Sequence, residues 1–202
     1  MPRSRWLGAS PSNEDEARKA LQRIVEAAGR AGDVIGRVRG LASRRPPSRE
    51  PVDLAELVQE TITLALGEIR GSQISLRTEL ASDLPTMTAD RVQLQQVILN
   101  FIVNAIEALK ARGTDDRDLL VSLATDEKKV TLSVRDSGVG LSQGSFDKVF
   151  DPFYSTKPGG MGVGLAISRS IVEAHGGAVY AAPNYPRGAV FGFTLPLDKT
   201  RD

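Results

Sequence analysis

Two glycine-bearing segments about twenty residues apart constrain this chain more than anything else in it: Asp136-Ser137-Gly138-Val139-Gly140, then Gly159-Gly160-Met161-Gly162-Val163-Gly164-Leu165. Glycine gives up side-chain burial and costs backbone entropy, so such a density implies tight turns or close backbone approach. The first segment leaves a strand-like run, Val130–Val134. The second opens a helical one, 163–175. Ahead of both lies a long apolar helical stretch carrying Asn100 and Asn104 one turn apart. The second segment does not end in Gly-Lys-Ser/Thr, and no strand runs directly into it. Both familiar phosphate loops, the Walker and the dinucleotide fingerprint, are therefore excluded.

At 202 residues and 41% hydrophobic, the chain can bury one good core with length to spare. The net charge is +1, but residues 1–50 hold 11 Lys/Arg against 6 Asp/Glu and the remainder 15 against 19. A basic first quarter suits an anionic partner or a membrane face, and a solvated helix face is the bland alternative. No run approaches the roughly 18 apolar residues that cross a bilayer, and Met1-Pro2-Arg3-Ser4-Arg5-Trp6 opens no signal-peptide core. With no cysteine there is neither a disulfide framework nor a thiolate metal site. A cytoplasmic location is expected.

Ser12-Asn13-Glu14-Asp15 reads as a capping box. From there Ala17, Leu21, Ile24, Ala28, Ala31, Ile35, Val38 and Ala42 alternate spacings of four and three, the narrow seam of a coiled coil or bundle. One helix cannot shelter that seam, so self-association or a missing upstream segment is expected. Arg44-Arg45-Pro46-Pro47-Ser48 then stops the helix. Beyond it the pattern is that of a compact domain. Helices are predicted over 52–69, 90–110 and 163–175, strands over 73–80, 119–124, 130–134, 178–182 and 190–195. The 90–110 helix is apolar around much of its circumference and is expected at the centre. Helices and strands do not alternate as βαβ units, so the expected fold is α+β: a mixed sheet with helices layered on one face.

Asp136 ends a strand beside glycines. A buried carboxylate there can accept a hydrogen bond from an exocyclic amine, which distinguishes adenine from guanine; a plain Asp-Ser-Gly turn has the same sequence. Glycines at the start of the 163–175 helix can aim backbone amides at phosphate oxygens. Asn100 and Asn104 share one helical face, and their carbonyl oxygens suit Mg²⁺ held jointly with phosphates; hydrogen bonding between core elements is the bland alternative. Phe150-Asp151-Pro152-Phe153-Tyr154-Ser155-Thr156-Lys157 reads as aromatic anchors at the base of a lid, with Lys157 as a phosphate counter-charge.

Asn-x-x-x-Asn, Asp-x-Gly-x-Gly, Phe-Asp-Pro-Phe-Tyr-Ser-Thr-Lys and Gly-x-Gly-x-Gly-Leu, in this order, resemble the N, G1, F and G2 boxes of sensor histidine kinases of two-component systems. The likeness covers residues 50–197 and extends to the PAS-linked oxygen and nitrogen sensors of the FixL type. It implies a Bergerat-type (GHKL) two-layer ATP-binding fold over 51–198, a linker at 46–50, and the second helix of a dimerisation hairpin over 13–45. Residues 1–12 are then a disordered or cloning-derived tail. By the same resemblance Asp136 binds the adenine amino group with Thr194 helping through a water, and Asn100 and Asn104 hold Mg²⁺. Lys157 and the amides of Gly160, Gly162 and Gly164 cover the phosphates, while Glu107, Gly138, Gly140, Val163 and Leu165 complete the ATP site. Related gyrase, mismatch-repair and chaperone ATPases carry Glu where this chain has Asn100. An amide cannot take a proton, so transfer to another acceptor is favoured over hydrolysis.

The family's phosphoacceptor is a histidine followed by an acid on the first dimerisation helix. The one histidine here is His175, in Glu173-Ala174-His175-Gly176-Gly177, where a capping role with a cation near the last carbonyls is expected. No catalytic acceptor residue is therefore expected within the chain. The partners implied are a histidine-bearing dimerisation helix, a response regulator and, in the full protein, a second subunit. A non-catalytic nucleotide-binding module and a slow ATPase switch of the gyrase–chaperone kind are the alternatives.

Overall fold

The computed structural model describes residues 48–197 except 83, 114–115, 143 and 158–159. The tail at 1–12, the heptad helix at 13–45, the first residues of the linker and Gly159 lie outside the described residues.

Hydrophobic periodicity and capping place three helices. Asp53 caps α1 (Leu54–Gly71), its Oδ1 accepting from the Glu56 amide at 3.0 Å. Asp90 caps α2 (Arg91–Arg112) in the same way through the Gln93 amide, and Gly113 ends it at φ 68°, a left-handed position that glycine adopts without strain. The third helix, α3 (Gly164–Ala174), ends at Gly176, φ 76°, with the Gly177 amide returning to the Val172 carbonyl.

The strands are β1 (Glu50–Val52), β2 (Ser75–Leu80), β3 (Met87–Ala89), β4 (Asp118–Thr125), β5 (Lys129–Asp136), β6 (Ala178–Pro183) and β7 (Ala189–Pro196). Five of them form one sheet in the order β2-β4-β5-β7-β6. The β2–β4 pair is parallel and the other pairs antiparallel, so the fold is the expected mixed-sheet α+β sandwich. The β4–β5 hairpin turns where the sequence predicts, Asp126 Oδ1 accepting from the amides of Lys128 and Lys129 at 2.9 Å each. The small β1–β3 ribbon is not foreseen by periodicity: its strands are three residues each, too short for alternation to register. It pulls Glu50 out of the supposed linker, and the Ser48 amide already donates to Asp90 Oδ2 at 3.1 Å.

Leu119, Val121 and Leu123 of β4, Val130, Leu132 and Val134 of β5, and Phe191, Phe193 and Leu195 of β7 face the helices and are buried. Against them α2 buries Leu94, Val97, Ile98, Phe101, Ile102, Ala105, Ile106 and Leu109. By length and composition alone α2 could cross a membrane; here those apolar residues are the domain core. At about 25 cal/mol per Å², each large side chain so buried contributes about 2 kcal/mol of transfer free energy. Phe101 lies 6.1 Å from Phe191 and 6.4 Å from Phe193 between ring centres, fixing α2 over the sheet.

Candidate functional site

The last residue of β5 is where polar chemistry enters this core. Alternation along the strand turns Asp136 inward, after Val130, Leu132 and Val134, and leaves it 1% exposed. Its Oδ1 accepts from the Gly138 amide at 2.8 Å, whereas Oδ2 is buried with no hydrogen-bond partner. Burial pushes the Asp136 carboxyl above its ordinary value; the Gly138 amide, the Ala189 amide that faces the carboxylate without reaching hydrogen-bond geometry, and the charge of Lys157 pull the other way. An unsatisfied buried acceptor is costly, and a donor such as an exocyclic amine would satisfy it.

The loop beyond Asp136 packs closely because Gly138 and Gly140 carry no side chains. A Cβ on Gly138 would stand 2.7 Å from the Ala108 backbone of α2, and Gly140 sits at φ 70°. Behind the loop, Asn184 Nδ2 donates to the Asp136 carbonyl at 2.8 Å and Arg112 Nη1 to that of Ser137 at 2.7 Å.

The face of α2 that carries Asn100, Asn104 and Glu107 turns toward the second glycine segment. Asn100 Nδ2 donates to Ser168 Oγ at 2.9 Å, and its Oδ1 lies where a Cβ on Gly164 would come within 2.9 Å. That bond fixes the amide's sense, carbonyl oxygen toward the start of α3. Lys157 Nζ donates to Asn104 Oδ1 at 2.9 Å and pairs with the Glu107 carboxylate. Among the described residues no group of three or more His, Cys, Asp or Glu could hold a metal. The donors on offer to a divalent cation are the two asparagine oxygens and Glu107, a hard-oxygen set that suits Mg²⁺ sharing phosphate oxygens.

Val163 precedes α3 without any side-chain cap, and the first intrahelical bond there is the Ile167 amide to the Val163 carbonyl at 3.0 Å. The amides of Gly164, Leu165 and Ala166 thus point outward with the helix dipole behind them, a site suited to anionic oxygens. Gly162 is left-handed at φ 64°, and a Cβ on it would strike the Tyr154 carbonyl at 2.4 Å. The Gly160 amide is committed elsewhere, donating to the Lys157 carbonyl at 3.1 Å, so of the three glycine amides expected over phosphates only those of Gly162 and Gly164 remain.

Two expectations fail on geometry. Thr194 is not beside Asp136: β5 pairs with β7 so that Thr194 faces Thr131, five residues down the strand, or about 17 Å at 3.3 Å per residue. It also lies on the opposite face of the sheet from the buried residues that flank it. The register Arg135↔Val190 brings Ala189 to Asp136 instead. Likewise Phe153 is no anchor. It is 81% exposed at φ 67°, and its amide donates to the Gly162 carbonyl at 3.0 Å. The anchors are Phe150, buried 6.3 Å from Phe191, and Tyr154, whose hydroxyl donates to Ser145 Oγ at 2.9 Å.

His175 stands apart from this cluster and is not the cation expected at a helix end. Its Nε2 accepts from the Asp90 amide at 3.0 Å, which leaves Nδ1–H to donate to the Ile171 carbonyl at 2.8 Å. A ring that accepts at one nitrogen is neutral. It ties the end of α3 to the N-cap of α2. Sequence reasoning also missed Ser168, Asn184 and Ala189, none of which belongs to a glycine or charged motif.

A family model described as histidine kinase-, DNA gyrase B-, and HSP90-like ATPase matches residues 89–199. The chain is 34% identical to the sensor histidine kinase TmoS of Ectopseudomonas mendocina, over 96% of this chain and 20% of that one. It is 38% identical to the sensor protein FixL of Bradyrhizobium diazoefficiens, over 94% and 37%. It therefore spans well under half the length of these relatives. Among solved structures it is similar to the catalytic domain of histidine kinase ThkA (32% identity, TM-score 0.67, covering 74% of this chain and 96% of that one). ThkA in complex with the response regulator TrrA gives 26%, 0.75, 96% and 54%, and full-length ShkA in complex with AMPPNP gives 27%, 0.72, 96% and 40%.

Proposed function

Since the chain belongs to the histidine kinase-, DNA gyrase B- and HSP90-like ATPase family, we propose that it is the ATP-binding catalytic half of a sensor histidine kinase. It passes the γ-phosphoryl group of ATP to a histidine on a dimerisation helix, from which a response regulator takes it. The observation that carries this reading is the buried, unpartnered Oδ2 of Asp136 beside a loop in which two glycines, Gly138 and Gly140, allow close backbone approach. It accepts from the adenine 6-amine, and the Gly138–Gly140 backbone lies against the ring. The amides of Gly162, Gly164 and Leu165 with the Lys157 ammonium receive the phosphate oxygens. Asn100 and Asn104, with Glu107 beside them, would hold Mg²⁺, which would supply charge neutralisation to the phosphates.

Position 100, where the related ATPases carry the glutamate that serves as base to water, is here an amide whose nitrogen already serves Ser168. An acceptor imidazole supplied from outside forms the P–N bond as the bond to the departing ADP oxygen breaks, its N–H proton passing to the acid beside it. His175 cannot serve, because both its nitrogens are engaged. The TrrA-bound relative supports the response-regulator assignment and the AMPPNP-bound one supports ATP.

Calorimetry with ATP and magnesium, followed by incubation with labelled ATP and a fragment bearing a His-Glu dimerisation helix, tests the reading. Acid-labile phosphate is expected on the fragment and none on this chain. No heat with adenine nucleotides, or a preference for guanine, overturns it.

A further inference from the structure

On the far side of the sheet from the Asp136 carboxylate lies a cleft of about 250 Å³ that the nucleotide reading does not use. Its floor follows from register. Arg77 of β2 pairs with Leu120 of β4, and Leu120 with Arg135 of β5, so the three form one row across the sheet. Leu120 alternates with the buried Leu119 and Val121, which sets the row on the open face. Two strand spacings separate the arginine backbones, about 10 Å, leaving an apolar strip between two guanidinium groups. The loop joining β6 to β7 brings Arg187 and Tyr185 to the lining. Arg112 joins them from the end of α2, its side chain only 11% exposed.

Guanidinium groups converge here without matching acids. Arg77, Arg135 and Arg187 have no hydrogen bond or salt bridge among the described residues. Arg112 reaches the Asp116 carboxylate only at 3.9 Å and otherwise spends its donors on the carbonyls of Ser137 and Asp116. Among the described residues the acids lining the cleft are Asp116 and Asp118, two carboxylates against four arginines. Such a concave, low-dielectric wall focuses positive potential, and the planar fork of arginine takes phosphate or carboxylate oxygens two at a time.

We propose that this cleft binds a small anion bearing phosphate or carboxylate groups, gripped by Arg77 and Arg135 across Leu120 and capped by Arg187. The site reports to the nucleotide loop. Arg112 holds the Ser137 carbonyl and Asn184, another lining residue, holds the Asp136 carbonyl. An anion drawing on Arg112 therefore shifts the backbone that carries the adenine carboxylate.

The test is a titration of the whole chain at constant ionic strength, one arm with inorganic phosphate and one with succinate, followed by amide resonances. Saturable shifts at Leu120, Ser137 and Tyr185, with Gly162 and Gly164 unmoved, are expected; the second pair would report phosphate entering the nucleotide loop instead. The arm that responds identifies the oxyanion class. The double variant Arg77→Ala/Arg135→Ala should weaken binding about tenfold or more, the scale of two lost charge-assisted pairs, while ATP binding in anion-free buffer persists. Both side chains face solvent, so the variant folds; its ATP heat confirms that. No saturable shift in either arm, or equal binding by the double variant, overturns the proposal and leaves the ATP reading untouched.

Discussion

Replacing Asp136 with asparagine separates what the residue does for the fold from what it does for the ligand. In the free protein the carboxylate is a liability. Burial raises its pKa, so the folded state binds a proton more readily than the unfolded chain. Stability therefore increases as pH falls through the raised folded value toward the ordinary 3.8, and above that window the ionised group is carried at a cost. Asparagine keeps Oδ1 for the Gly138 amide and removes the charge, so Asp136→Asn should leave thermal stability at neutral pH equal or higher. Toward adenine the change is adverse. A hydrogen bond to a charged acceptor is worth about 1.5–3 kcal/mol, and an N–H now faces the adenine amine. ATP affinity should fall about 10- to 150-fold at 1.36 kcal/mol per decade. Guanine presents a carbonyl at that position, so the ATP-to-GTP ratio should narrow. Calorimetry with both nucleotides and a thermal melt of each protein measure this. A variant that binds ATP within about threefold of the parent, below the weakest bond of this kind, refutes the role of Oδ2, as does one that melts well below it.

The same carboxylate makes binding pH-dependent: adenine needs it ionised, so ATP affinity should weaken as pH falls through the raised Asp136 pKa. Binding in that window should release a proton, seen as a buffer-dependent heat that Asp136→Asn abolishes. Thr194→Ala should leave ATP affinity unchanged, since the sheet register holds Thr194 about 17 Å along the strands from Asp136; a clear loss by calorimetry would refute that register. His175→Ala strands the Asp90 amide and should cost about 1–3 kcal/mol in urea unfolding, without removing any phosphoryl acceptor. Gly162→Ala places a Cβ 2.4 Å from the Tyr154 carbonyl at φ 64° and should weaken ATP binding more than Gly144→Ala, a left-handed position with open space around it.

Signals that repeat, or that punctuate, were legible in the sequence. The length and apolar girth of α2 put it at the centre, Gly176-Gly177 marked the end of α3, and the alternation in β4 and β5 fixed their faces. Asp136 was legible as a candidate because it is a carboxylate that ends a strand and enters a glycine-bearing turn. Register was not legible. Thr194 and Ala189 lie on the same strand, and only the pairing of Arg135 with Val190 decides which of them meets Asp136. Phe153 misled because an aromatic in a run of aromatics is read as buried, whereas its backbone is held left-handed by the Gly162 carbonyl and its ring is turned to solvent. The role of His175 depended on a partner 85 residues away, beyond the reach of any local rule.

These long-range ties explain why three weak motifs act together. Ser168 is one turn into α3 and also accepts, from Asn100, the hydrogen bond that aims the Asn100 carbonyl at the helix start. At the far end of α3, His175 holds the N-cap of α2. The two helices are thereby fixed at both ends of their contact, and the oxygens on α2 cannot shift relative to the amides of α3 without breaking one tie or the other. Asp136 is set against the same helix by Gly138, whose missing Cβ lets the loop touch the Ala108 backbone. A carboxylate for a base, amides for phosphates and oxygens for a cation are each ordinary features of a chain. Anchored to one buried helix they keep fixed separations, and in the proposed site a ligand long enough to reach all three would be bound by its length as much as by its chemistry.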